Sequence, residues 1–261
     1  MGTTKMSGIH LIYQYFRVRP RPEQGFNDLQ ASNRQTEYDE CLQRNLLHPQ
    51  IQGLHILLED AEEETSLRLA ISLLPETCRE KLTIQHLGRR MLYSDAFDYA
   101  NQHLVGSICV ILNADIFLGD FQITVDKTLF PEKSCWSLTR HEKSTCLYLK
   151  KSPPKQQDLA CGCPFLRGKR NYYGSHDSFW FVSPIVQGVL ENCQHVQNRW
   201  GAEHKVINEL LRHGYHIGNP SRTMRTFHNH DSDVHPWRKE PGGEQVLADP
   251  RDHPPLPPTH L

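Results

Sequence analysis

The sequence predicts an α/β protein of three layers, with a mostly parallel central sheet and helices on both faces. Three observations carry that expectation. Strand-like apolar runs alternate with amphipathic helical segments from residue 9 to residue 121. The helical segments are long enough to carry the chain back across a sheet, as βαβ units require. Runs such as Val110-Ile111-Leu112 have no polar alternation, the pattern of strands buried on both faces.

The first strand is "IHLIYQYF", residues 9 to 16, followed by a Pro/Gly/Asn-rich loop from Arg19 to Asn33. In "RQTEYDECLQRNLLH", Tyr38, Cys41, Leu42 and Leu46 form one helical stripe, with Ser32 or Asn33 as the expected cap. "GLHILLED", 53 to 60, is the second strand, and "TSLRLAISLL", 65 to 74, is a short helix with Leu67, Ile71 and Leu74 in register. "KLTIQHL" is the third strand. "SDAFDYANQHL" begins at the capping residue Ser94 and sets Phe97, Ala100 and Leu104 on one face; "SICVILNADIF" is the fourth strand. Residues 9–121 thus read as a nucleotide-binding half.

The second half, 134–232, is organised differently. "SCWSLTRHE" (134 to 142), "TCLYLKK" (145 to 151) and "GSHDSFWFVSP" (174 to 184) are strand-like, with a polar loop before the last. "AEHKVINELLRHG" (202 to 214) is a helix burying Val206, Ile207, Leu210 and Leu211, and Gly214 ends it. "YHIGNPS" is a short edge strand and turn leading to "RTFHNHDSDVH". Residues 1–235 are expected to form a single domain, and 236–261 a disordered Pro-rich tail with an SH3-type docking segment as an alternative role.

Composition excludes several classes. At 261 residues and 38% hydrophobic content, the chain can bury a real core. With 29 basic against 30 acidic side chains, no nucleic-acid partner is expected. No run approaches the ~18 apolar residues of a membrane span, and the start lacks a signal-peptide pattern. The chain as given reads as cytoplasmic, with the secretory pathway the alternative if an anchor precedes it. Met6 occupies the position where a myristoylation motif wants Ser or Thr. Eight Cys are scattered without C-x-x-C spacing; Cys161 and Cys163 are the one pair that raises a redox or metal question.

The fourth strand ends in Asn113-Ala114-Asp115, where an open parallel sheet places its ligand crevice. A carboxylate there can hold a divalent cation, or simply cap a turn. The stretches "IHLIYQYF", "RQTEYDECLQRNL", "GLHILLED", "YSDAFDYANQHL", "VILNADIFL", "SLTRHE", "GSHDSFWF" and "HIGNPSRTMRTFHNH" together resemble the GT-A type of glycosyltransferase, over residues 9 to 232. The resemblance is closest to an uncharacterised subgroup in which N-A-D-I-[FY] is followed by L-[ST]-R and D-S-[FW]-x-F. It implies a GT-A-like fold, a nucleotide-diphospho-sugar donor and Mn²⁺ or Mg²⁺. "NADIF" looks like a variant of the family's Asp-x-Asp motif, with neutral Asn113 at the first position and Asp115 at the last.

On that resemblance, Asp115 is the expected metal ligand, joined by His228 or His230 of "FHNHDS", whose alternate positions put both imidazoles on one side. Gln14 and Tyr15 fall where the fold reads the base, and Glu59 where it meets base or ribose. Asn101 lies in a helix that resembles the family's backing of the donor site. Asn113 and Arg140 are expected at the donor, Arg140 because a guanidinium matches a phosphate. Asp177 and Glu203 compete for the role of catalytic base. Each also has a plainer reading, as strand-end aromatic, helix cap or surface ion pair. The expected function is metal-dependent sugar transfer to an unknown glycan, lipid or protein acceptor. The alternatives are a catalytically degenerate transferase fold serving as a binding or scaffold module, and, last, a nucleotidyltransferase.

Overall fold

The computed structural model describes residues 8–121, 123–142, 176–199 and 201–232, together with Leu256, Thr259 and Leu261. Strand β1, Ile9–Tyr13, leads into helix α1, Asp28–Leu47. Asn27 accepts from the Gln30 N–H at 2.9 Å, while the Gln30 side chain accepts the Asn27 N–H at 3.0 Å. This reciprocal capping box starts the helix several residues ahead of Ser32 and Asn33, the caps expected from sequence, which lie exposed inside it. Strand β2, Ile51–Leu58, helix α2, Ala61–Ala70, helix α3, Glu76–Arg79, and strand β3, Leu82–His86, follow. Helix α2 also starts earlier than expected, because Asp60 caps it by accepting from the Glu63 N–H at 3.0 Å.

Helix α4, Tyr93–His103, contains Ser94 rather than being capped by it; Asp95 reaches back to the Leu92 N–H at 2.8 Å. The stretch expected as one fourth strand divides in two, β4, Ile108–Leu112, and β5, Ile116–Leu118. Between them the Ile116 N–H bonds to the Asn113 carbonyl at 3.1 Å, a tight turn that carries β5 out of the main sheet. The second half supplies β6, Ser134–Thr139, β7, His141–Glu142, β8, His176–Val182, α5, Gln187–Asn192, α6, Ala202–Arg212, β9, His216–Gly218, and β10, Thr226–His228.

Seven strands form one mixed, mostly parallel sheet in the order β3-β2-β1-β4-β8-β6-β9, in which β8 alone runs against its neighbours. Successive residues of β1 and β4 enter opposite layers. Ile9, Leu11, Val110 and Leu112 pack with Tyr38, Leu42 and Leu46 of α1 and Leu67 of α2. Ile12, Cys109 and Ile111 pack with Phe97 and Ala100 of α4, Val189 of α5, and Val206 and Leu210 of α6. Helices therefore cover both faces. Leu211, expected inside, is 42% exposed, because one step past Leu210 turns it about 100° around the helix.

Order β2-β1-β4 means that the chain reverses its direction of travel across the sheet beside β1. That places a crevice at the carboxyl ends of β1 and β4. A second sheet, β5-β10-β7, borders the same edge. "TCLYLKK", the Cys161/Cys163 pair and residues 236–255 lie outside the described residues. Of the expected disordered tail, Leu256 and Thr259 are described bonded to Asn219, with the Thr259 N–H donating to its carbonyl at 2.7 Å.

Candidate active site

The break after β4 sorts its residues to two sides. Asp115 faces α1 and the second sheet. Its Oδ2 accepts from Arg34 at 2.5 Å and lies 3.3 Å from His228 Nε2. His228 ends β10, which pairs antiparallel with β5 so that His228 sits opposite Ile116, next to Asp115. His230 follows two residues later, and the two imidazoles lie 5.1 Å apart, nearly perpendicular. One ligand atom from each of Asp115, His228 and His230 falls within 4.8 Å of the others, and all three residues are buried.

Arg34 is the residue that sequence reasoning missed. It is 4% exposed, and besides Asp115 it donates to Glu37 Oε2 at 2.6 Å, to the Asn229 carbonyl at 3.2 Å and to the Tyr38 hydroxyl at 3.1 Å. Glu37 in turn accepts from the Asp231 and Ser232 N–H groups at 2.8 and 2.6 Å, which fastens the segment after β10 to α1. Burial alone would raise the Asp115 pKa, but the charges of Arg34 and His228 outweigh it and hold the carboxyl well below its ordinary range. Asp115 is thus a carboxylate at every physiological pH.

On the other side, Asn113 donates to Asp177 Oδ1 at 2.8 Å, and Arg140 donates to Asp177 Oδ2 at 3.0 Å. Asp177 is the second residue of β8 and Arg140 follows β6; since these strands are antiparallel neighbours, the two side chains meet at the crevice edge. Glu203, in the first turn of α6, joins them, close enough for the Asp177 and Arg140 charges and the Asn113 amide to act on its carboxyl. Burial first, then the nearby Asp177 carboxylate, raises the Glu203 pKa to about 8, against the opposing pull of Arg140. Tyr93, 1% exposed, borders the group, and burial with the charges of Glu203 and Asp177 pushes its phenol up. The Asn113 Oδ1 is buried without a hydrogen-bond partner among the described residues. It is an acceptor that a bound hydroxyl could satisfy.

Two expected donor contacts sit elsewhere, and two lie at the crevice edge. Tyr15 is in the core, 1% exposed, with its hydroxyl bonded to Asp39 at 2.8 Å, so its ring has no free face for a base. Asn101 belongs to the opposite edge of the sheet: it donates to the Ile185 carbonyl at 2.7 Å and accepts the Ile185 N–H at 2.8 Å, stapling the turn after β8. Glu59 follows β2 at the crevice edge, where its N–H is taken by Glu63 at 3.2 Å. Gln14, just past β1, is buried at that edge.

No protein-family model matches the chain, and neither does any curated protein. Two solved structures align with most of its length. A mannosyltransferase from Pyrobaculum calidifontis, in complex with GDP-mannose and Mn²⁺, aligns with a TM-score of 0.48 at 13% identity over 89% of this chain. The apo structure of WbbM, a bifunctional glycosyltransferase, aligns with a TM-score of 0.40 at 9% identity over 91%. This chain spans 59% and 48% of those two chains. Likeness of that degree carries no argument about fold or activity. No described helix is long and apolar enough to cross a membrane.

Proposed function

We propose that the protein is a glycosyltransferase of the GT-A type that takes a nucleotide-diphospho-sugar donor at the crevice beside β1 and β4. The observation that carries the reading is the turn Asn113-Ala114-Asp115, which serves two adjoining polar clusters at one sheet edge, one built for a cation and one for a proton. Asp115, His228 and His230 would hold the metal. A set with two imidazoles and one carboxylate suits a first-row transition cation such as Mn²⁺ better than Mg²⁺, which prefers an all-oxygen shell. When bound, the cation neutralises the donor diphosphate as it leaves.

The second cluster divides the remaining work. Both Asp177 oxygens are already engaged, by Asn113 and Arg140, so Asp177 serves to aim Arg140 rather than to take a proton. Glu203, with its pKa near neutrality, is the better base. In an inverting transfer, the acceptor hydroxyl oxygen bonds to the anomeric carbon and its proton passes to Glu203. The bond from that carbon to the phosphate oxygen breaks, its electron pair leaving with the diphosphate.

The test is a thermal-shift measurement on the full chain with UDP, GDP and their common sugar conjugates, each with Mn²⁺, Mg²⁺ or EDTA. A ligand at 100-fold its dissociation constant adds about 2.7 kcal/mol to stability. Metal-dependent stabilisation by one nucleotide, lost in Asp115→Ala, is the expected result. The contact between Arg34 and Asp115 favours a second reading, a degenerate transferase fold acting as a scaffold, because that carboxylate already has a cation. A folded protein that no nucleotide stabilises would decide for it.

A further inference from the structure

The proposed metal site contains a cation that belongs to the protein. Arg34 and Asp115 form an ion pair whose side chains are 5% and 12% exposed, and both contacts to Asp115 fall on one oxygen, Oδ2. A divalent cation drawn to this carboxylate therefore meets a guanidinium already there, in a setting where water screens little. Arg34 is not free to leave, since it is anchored at its other nitrogens by Glu37, the Asn229 carbonyl and Tyr38. Nor does it need Asp115: Glu37 is a second buried carboxylate on the same guanidinium, at 2.6 Å. Arg34 is held between two acceptors and can give up one of them.

Resting on the reading of Asp115, His228 and His230 as a metal site, we propose that Arg34 is a gate on it. Arg34 stands in for the cation while the crevice is empty, and the metal enters only together with a diphosphate. Two negative phosphates supply what the site lacks: they offset the combined positive charge of guanidinium and metal, and they offer Arg34 a phosphate oxygen in exchange for Asp115. The consequence is ordered binding. Metal alone is refused, so the site does not fill with adventitious cations, and an arriving donor meets Arg34 first.

The test reads Mn²⁺ binding directly, by electron paramagnetic resonance of free Mn²⁺, on the full chain without substrate turnover. Arg34→Gln is expected to bind Mn²⁺ alone at least about tenfold more tightly than the natural protein, because one positive charge has been removed from beside the ion. Arg34→Lys keeps the charge and is expected to stay weak. Adding Asp115→Asn to Arg34→Gln is expected to abolish the gain. Equal Mn²⁺ affinity in the natural protein and in Arg34→Gln would overturn the gate and leave the metal site standing. Absence of binding in every variant, with UDP and GDP as well as without, would overturn the metal site and the gate with it. Should Arg34→Gln fail to fold, the unaltered protein decides: its Mn²⁺ affinity must rise at least about tenfold when UDP or GDP is bound, and an unchanged affinity sinks the gate.

Discussion

Asp115 and Glu203 are carboxyls at one edge of one sheet, joined through a single turn, yet their surroundings drive them to opposite states. Asp115 faces Arg34 and two imidazoles and is held ionised; Glu203 faces another carboxylate and is raised toward neutrality. Burial acts in the same direction on both. What differs is the sign of the nearest charge, Arg34 in one case and Asp177 in the other. The proposed site, which would hold a cation and also move a proton, needs that split, and Asn113 and Asp115, two residues apart, point to opposite sides of it.

The contrast breaks most severely at Arg34. Replacing it with Ala leaves Asp115 and Glu37 buried without the guanidinium they share, with only His228 beside Asp115, and the loss of one partner from a buried pair costs about 3–5 kcal/mol. Urea unfolding should show that loss at pH 7. Asp115→Ala should cost less, since Arg34 keeps Glu37; equal losses would mean that Glu37 contributes nothing to holding the guanidinium.

Arg34 also shows where the sequence was legible and where it was not. The alternation of apolar runs with amphipathic helices predicted the mostly parallel sheet and the helical layers, because burial on both faces leaves a plain pattern in composition. Asp115, His228 and His230 were legible as candidates from residue type and position, and the fold brings them together through the β5–β10 pairing. Arg34 and Glu37 were not picked out, although they lie at helical spacing on the same stripe as Tyr38 and Cys41. Charged residues on an apolar stripe were the available signal. Tyr15 and Asn101 misled for a different reason: position at a strand end or on a helix does not say which edge or face a side chain reaches.

Glu203 gives the next effect. Its folded pKa is raised above the ordinary carboxyl value, so the folded state binds more protons than the unfolded state between that value and about 8. The stability that Glu203 contributes must therefore fall as pH rises through that window, the reverse of the usual carboxylate behaviour, while His55, His176 and His195, which burial holds neutral, add stability as pH rises past the ordinary imidazole value. Relative to Glu203→Gln, in which the histidines are unchanged, the natural protein should lose about 2–4 kcal/mol of unfolding free energy between pH 5 and pH 8.5. The same pH dependence in the natural protein and in Glu203→Gln would place the proton elsewhere. If Glu203 is the base, the same variant should lower kcat by about 100-fold or more, leaving donor-induced thermal stabilisation intact.

Asn113→Asp sharpens the comparison, because it recreates the Asp-x-Asp spelling of the resembling family. On sequence grounds it should improve a metal site. The geometry says otherwise, since position 113 faces Asp177 at 2.8 Å and Glu203 rather than Asp115's partners. The new carboxylate would replace a hydrogen bond by like-charge repulsion, costing about 1–2 kcal/mol at pH 8 and less at pH 5, where protonation relieves it. Mn²⁺ affinity should not rise. A gain in affinity would show that positions 113 and 115 serve one site.

The smallest effect belongs to Asn101, which tests whether the polar groups on the far edge share in function at all. Its amide serves the Ile185 N–H and carbonyl, and Ser183 donates to the same side-chain oxygen at 3.4 Å. Asn101→Ala removes a pair of backbone bonds in a half-buried turn, which costs about 1 kcal/mol. It should leave nucleotide and Mn²⁺ binding untouched, because Asn101 lies beyond the amino ends of the parallel strands, across the sheet from the crevice. Loss of nucleotide stabilisation in this variant, at unchanged fold, would mean that the donor reaches past the strand ends and that the crevice has been placed too narrowly.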